Sequence, residues 1–121
     1  MNAFGLYLVI TDPVVGYAKC AEAAVEAGVG VIQLRMKHAS RDAVLREARE
    51  MRRITAGTKT IFIVNDDPSI ASEAEADGVH VGQDDMDPDE IRARHPELGI
   101  IGLSTHSPAQ AKAANAKNVD Y

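Results

Sequence analysis

Ile61-Phe-Ile-Val-Asn-Asp-Asp-Pro-Ser69 and Asp77-Gly-Val-His-Val-Gly-Gln-Asp-Asp85 decide the fold. Each is a short apolar run that stops abruptly in acids and amides. A β-branched run of this length, bounded by turn residues, reads as a buried strand. Parallel α/β folds gather their chemistry just past the C-terminal ends of such strands. Two of these ends carry carboxylates, Asp66 and Asp85, hard oxygen donors that suit Mg²⁺. A third run, Val31-Ile-Gln-Leu-Arg-Met-Lys37, ends in cations that suit phosphate. Metal together with phosphate is already a statement about function.

The punctuation around these runs is regular. Gly28, Gly57, Gly78, Gly99 and Asn118 follow helical stretches and precede apolar runs, the place of a helix C′ residue. Strands are predicted at 6–11, 30–35, 60–64, 79–82 and 99–103, with a sixth beginning near Val119. Asp67-Pro68, Asp87-Pro88 and Ser107-Pro108 each set a capping side chain before a proline at the first helical position. Asp87-Pro-Asp-Glu90 and Ser107-Pro-Ala-Gln110 have capping-box spacing. Val44, Leu45, Ala48 and Met51 form one apolar face of the second helix. Five β/α units and the opening of a sixth strand imply a parallel sheet covered by helices. A doubly wound sheet would keep its site at a switch point. A barrel would carry polar groups at the end of nearly every strand. Strands two to five all end in such groups, so the expectation is an α/β fold, a partial (β/α)₈ TIM barrel, as one incomplete domain over residues 1–121.

The composition excludes several classes. The chain has 121 residues, enough for one domain with a core. A net charge of -5 is the wrong footprint for a nucleic-acid partner. Cys20 is the sole cysteine, and no Cys/His spacing matches a zinc site, so it reads as a small buried hydrophobe. The apolar start lacks a basic n-region and is broken at Asp12-Pro13, unlike a signal peptide. No run is long enough to span a bilayer. A soluble cytoplasmic protein is the expectation.

Gln33, Arg35 and Lys37 alternate, which places them on one face of strand two, opposite Ile32 and Leu34. The competing reading is an edge strand with a solvated face. Asp67 is accounted for as a helix cap, which leaves Asn65 and Asp66 unexplained. Gln83-Asp84-Asp85 alone fits an acidic loop as well as a metal site. Two acidic sets at neighbouring strand ends, opposite a cationic strand, make the joint case stronger. Ser104-Thr105-His106 follows strand five, where a hydroxyl and an imidazole can contact phosphate or shuttle a proton. His80 lies inside strand four and reads as a satisfied inward histidine. There is no Gly-x-Ser-x-Gly elbow for a serine hydrolase.

Taken in order, Leu6-Tyr-Leu-Val-Ile-Thr-Asp-Pro13, Gln33-Leu-Arg-Met-Lys37, Phe62-Ile-Val-Asn-Asp66, Ala76-Asp-Gly-Val-His-Val-Gly-Gln-Asp-Asp85 and Ile101-Gly-Leu-Ser-Thr-His106 resemble thiamine phosphate synthase. The Gln-x-Arg-x-Lys and His-x-Gly-Gln-x-Asp elements are specific in combination. The resemblance implies a TIM barrel that joins hydroxymethylpyrimidine pyrophosphate to a thiazole phosphate with Mg²⁺, releasing pyrophosphate. It implies that Gln33, Arg35 and Lys37 hold the pyrophosphate and that Asn65 supports the pyrimidine or its phosphates. It further implies that Asp66 and Asp85 bind Mg²⁺. Ser104, the one residue it marks as catalytic, would contact the reacting substrate or the pyrophosphate. The family continues beyond strand six into a Thr-x-Thr-Lys loop and two more strands with thiazole-phosphate contacts. None of these is among the 121 residues, so the chain alone is expected to be inactive. A thiazole tautomerase of the same fold is one rival. A non-catalytic fragment retaining a metal-pyrophosphate half-site is another. The edge of strand six also suggests a homo-oligomer.

Overall fold

In the computed structural model, which describes residues 5–121, parallel strands alternate with helices along the chain. The order is β1 (Tyr7–Ile10), α1 (Tyr17–Glu26), β2 (Val31–Leu34), α2 (Arg41–Thr55), β3 (Ile61–Asn65), α3 (Pro68–Glu73), β4 (Gly78–Val81), α4 (Pro88–Arg94), β5 (Ile100–Leu103) and α5 (Pro108–Ala114). The sheet order is β1-β2-β3-β4-β5, all parallel and never reversed. A doubly wound sheet reverses at its switch point. That closure is therefore excluded, and the sheet is an arc of a (β/α)₈ barrel. No strand forms near Val119, but its beginnings are present. Asp120 N–H donates to Ile101 O at 2.8 Å and Leu103 N–H to Tyr121 O at 2.9 Å, the start of a parallel ladder beside β5. Curvature follows from one contact, a hydrogen bond between the Tyr7 and Tyr121 hydroxyls. In a flat sheet those positions would lie five strand spacings apart, about 24 Å, beyond the reach of two tyrosines.

In-register parallel pairing puts aligned residues on one face. Asn65, His80 and Gly102 are aligned, as are Val9, Gln33 and Ile63. The intervening residues face the helices. Ile32, Leu34, Phe62, Val64, Val79 and Ile101 pack there against Ala21, Ala48, Met51, Ile70 and Ile91. Val31 and Ile63 are equally buried but stand outside that cluster, as inward-facing positions should. On α2, Leu45, Ala48 and Met51 are buried as the periodicity predicts, while Val44 is only partly so. Cys20 is half-buried against the core.

The caps predicted at Asp67, Asp87 and Ser107 form. The reciprocal bonds of a capping box do not. Glu90 instead pairs with Arg94 at 2.9 Å, and Gln110 accepts from His106 N–H at 2.7 Å, one residue before the cap. Gly28 and Gly57 have the positive φ expected after a helix, at 75° and 74°. Gly78, Gly99 and Asn118 do not. The left-handed residue after α3 is Glu75, at φ 57°. Gly78 is the first residue of β4, where a Cβ would collide with the Ile100 carbonyl, so the glycine serves close strand approach.

Asp120 ties the strand-six segment to β5 and α4. Its Oδ2 accepts from Ile101 N–H at 2.9 Å and from Arg92 Nη2 at 2.8 Å. Burial pushes its pKa up, but the Ile101 N–H and Arg92 outweigh that and hold it below the ordinary value. Asp120→Ala should cost about 1–3 kcal/mol by urea unfolding, because a bonded amide loses its acceptor. The contribution is complete above the unfolded-state pKa and is lost as pH falls through the lower folded one. The gap between parent and variant should therefore close below about pH 4.

Candidate active site

Strand alternation delivers polar side chains to the C-terminal ends of β2, β3, β4 and β5. They surround a cleft of about 540 Å³ lined by Arg35, Lys37, Asn65, Asp66, Asp85 and Ser104, among others. Six of the seven residues picked out from sequence thus meet in one place. Gln33 does not line the cleft. It is 4% exposed and lies deeper, donating its amide to the Tyr7 hydroxyl at 2.9 Å. The expected single strand face also needs correction, because β2 ends at Leu34 and Arg35 and Lys37 stand in the segment beyond it. The Arg35 N–H still donates to Ile10 O at 3.0 Å, which holds that segment against β1.

The charges are arranged unequally. Lys37 Nζ lies 2.5 Å from Asp66 Oδ2, with both side chains about two-fifths exposed. Among the described residues no carboxylate pairs with Arg35. A cation held in a cleft without a protein counter-ion leaves its donors to a ligand. Asp66 is itself strained. Its φ is 74°, and Asp67 N–H donates across it to Asn65 O at 3.0 Å, closing a three-residue turn. Asp12 and His38, after β1 and β2, also have positive φ. Three of the four described non-glycine residues with positive φ therefore lie at this end of the strands. Such strain persists where surrounding structure enforces it, and it gathers at functional sites.

Asp85 braces the loop after β4, its Oδ2 accepting from Gly82 N–H at 2.7 Å. From the same loop, Gln83 Nε2 donates to Ser104 O at 2.8 Å. His80 Nε2 lies 2.7 Å from Ser104 Oγ, and Nδ1 lies 3.3 Å from the Tyr121 hydroxyl. It is the satisfied inward histidine expected, but it also lines the cleft. Burial pushes its pKa down, against the opposing pull of Asp66 and Asp85, so the neutral imidazole is favoured. His80 and Gln83 were not singled out as site residues in the sequence. The available signal was alternation, since His80 is the inward residue between Val79 and Val81 and shares a register with Asn65.

No three His, Cys, Asp or Glu side chains converge as a metal cage among the described residues. The donor set still fits Mg²⁺. That ion is commonly held by one or two carboxylates, with waters and substrate phosphates completing its shell. Asp66 and Asp85 line the same cleft as Arg35 and Lys37. A larger cavity, about 680 Å³, opens at the other end of the strands beside Arg52 and Asp77. There Asp77 Oδ2 already accepts from Phe62 N–H at 2.8 Å and pairs with Arg52 at 3.4 Å, an arrangement that closes the structure.

A family model described as thiamine monophosphate synthase matches residues 6–121. The chain belongs to the thiamine monophosphate synthase family. The thiamine-phosphate synthase of Pelotomaculum thermopropionicum is 46% identical over 80% of this chain and 44% of its own length. That of Shouchella clausii is 39% identical over 100% of this chain and 59% of its own. Among solved structures, a thiamine phosphate pyrophosphorylase from Pyrococcus furiosus superimposes with a TM-score of 0.85 at 31% identity, covering 98% of this chain and 58% of that one. The chain spans about half the length of the relatives it matches. Among the described residues no helix is long and apolar enough to cross a membrane.

The strain at Asp66 can be separated from its chemistry. Glycine adopts φ 74° without steric cost. Asp66→Gly should unfold at or slightly above the parent midpoint, by up to about 1–2 kcal/mol, while losing any metal dependence of ligand binding. A loss of more than about 2 kcal/mol would show that Asp66 serves the fold instead.

Proposed function

We propose that these residues form the metal and pyrophosphate part of a thiamine-phosphate synthase site. The substrate is hydroxymethylpyrimidine pyrophosphate, and the acceptor is a thiazole phosphate. The observation that carries this reading is the cleft itself, which Arg35, Lys37, Asp66 and Asp85 line together. Arg35 offers a planar fork to two phosphate oxygens. The Lys37–Asp66 pair is about two-fifths exposed and cheap to open, so both groups are available to a ligand.

The reaction asks little covalent chemistry of the protein. The bond between the pyrimidine methylene and its bridging oxygen breaks, and pyrophosphate leaves with the electron pair. The lone pair of the thiazole nitrogen then forms the new carbon–nitrogen bond and leaves a thiazolium product. Leaving-group charge is the obstacle, and Arg35 and Lys37 are placed to take it up as it develops. Bound Mg²⁺ would supply further neutralisation of the pyrophosphate, with Asp66 and Asp85 as its carboxylates. Ser104 and Asn65 orient the substrate from the ends of β5 and β3. No nucleophilic side chain is required.

Calorimetric titration with inorganic pyrophosphate, with and without Mg²⁺, tests the reading. Binding should require Mg²⁺. Asp66→Asn and Asp85→Asn should each weaken it by roughly 10–100-fold, by analogy with the cost of disturbing a metal's supporting shell. Arg35→Met should weaken it with little change in thermal midpoint, and lysine should replace Arg35 poorly. Undiminished affinity in both aspartate variants would remove the metal site from the account.

A further inference from the structure

Ser104 is held on both sides of its backbone. Its N–H donates to Val81 O at 2.9 Å, which carries the β4–β5 ladder one residue past the end of β5. Its carbonyl accepts from Gln83 Nε2 at 2.8 Å. A carbonyl oxygen only accepts, so the amide nitrogen of Gln83 is the atom that faces it. The turn that carries Gln83 is closed by two bonds. Asp85 N–H donates to Gly82 O at 3.3 Å, and Asp85 Oδ2 accepts from Gly82 N–H at 2.7 Å. Gln83 and Asp84 form the corners of that four-residue turn. From this braced position Gln83 reaches across to the neighbouring strand end.

Folding gains little from this contact. Gln83 is exposed, and water replaces an exposed hydrogen bond when it breaks. The contact does more for position. β5 ends at Leu103, and the next capped helix begins after Ser107, so Ser104 starts a stretch without regular structure. Its ladder bond fixes only the peptide plane before it. The Gln83 bond fixes the plane after it. With both planes held, φ and ψ of Ser104 are set, and so is the direction in which its Cβ carries the hydroxyl. His80 Nε2 lies 2.7 Å from that hydroxyl, so the side chain has a contact of its own at its tip. The Gln83 turn also carries Asp85. One short loop thus supplies a carboxylate to the cleft and fixes the serine on the adjacent strand end.

We infer that Gln83 is a positioning residue, an amide clamp on the Ser104 carbonyl that fixes where the Ser104 hydroxyl enters the cleft. The inference rests on the pyrophosphate reading for its ligand, but the clamp belongs to the free protein. Gln83 also lines the cleft, so direct contact with the ligand is the competing role. The two roles differ in one respect. A clamp acts only through the hydroxyl it places, whereas a direct contact acts whether or not that hydroxyl is present.

A double-mutant cycle read by calorimetry, with inorganic pyrophosphate and Mg²⁺, separates them. Gln83→Met keeps the length of the side chain and removes its donor. Alone, it should weaken binding by about two- to tenfold, the effect of one neutral hydrogen bond. In the Ser104→Ala background it should change affinity by less than about twofold, because no hydroxyl remains to be placed. Equal losses in both backgrounds overturn the inference, since Gln83 would then act on the ligand or on the fold. Undiminished affinity in Gln83→Met overturns it as well. Carbon-13 NMR tests the clamp without any ligand. In Gln83→Met the Ser104 carbonyl signal should move upfield as its hydrogen bond is lost, while the urea midpoint stays near that of the parent. An unmoved carbonyl signal overturns the clamp whatever the affinities show. A parent that binds no pyrophosphate would instead defeat the functional reading, leaving the carbonyl signal to judge the clamp.

Discussion

The pairing register of the parallel sheet is the constraint on which the rest depends. Side chains alternate with a period of two, so a slip of one residue on any strand would exchange its core face for its inner face. With the register as found, Ile32, Phe62, Val79 and Ile101 meet the helices. The same choice turns Gln33, Asn65 and His80 inward and carries Arg35 and Lys37 to the rim. Folding and site assembly are therefore one decision. The apolar face supplies the energy, at about 25 cal/mol for each Å² of apolar surface withdrawn from water. The polar face receives its geometry as a consequence.

The inner face also shows why the site end differs from the opposite end. Around Asp77 the charges are spent on closure, with a backbone amide and Arg52 satisfying one carboxylate. Around Asp66 the backbone is strained, and among the described residues Arg35 is left without a carboxylate. Stability is given up at one end of the strands and kept at the other. That division matches the general behaviour of barrels, whose C-terminal strand ends carry chemistry while the opposite face carries stability. Membership of the thiamine monophosphate synthase family is consistent with it.

Much of this was legible in the sequence because it is local. Apolar runs ending in acids located the strands, and Asp-Pro and Ser-Pro pairs located three helix starts. Arg35, Lys37, Asn65, Asp66, Asp85 and Ser104 could be named because each lies at or just past a strand end. What escaped was non-local. Gln33 reads as one of three equivalent polar residues, yet it is buried a layer deeper because β2 ends at Leu34. Tyr7 and Tyr121 are 114 positions apart, and only the curl of the sheet brings them together. Gly78 reads as a helix terminator, but its smallness answers to the Ile100 carbonyl of the neighbouring strand, while Glu75 takes the left-handed turn.

The central claim is that one cleft, at the C-terminal ends of the strands, holds a divalent cation and a pyrophosphate together. A crystal structure with Mn²⁺ in place of Mg²⁺ and inorganic pyrophosphate, read from the anomalous signal, addresses it directly. The account predicts an ion bonded to carboxylate oxygens of Asp66 and Asp85 at roughly 2.0–2.2 Å, close to the Mg²⁺ range, with phosphate oxygens on Arg35 and Lys37. An ion and pyrophosphate seated instead beside Arg52 and Asp77, or an ion bound without either aspartate, would contradict it.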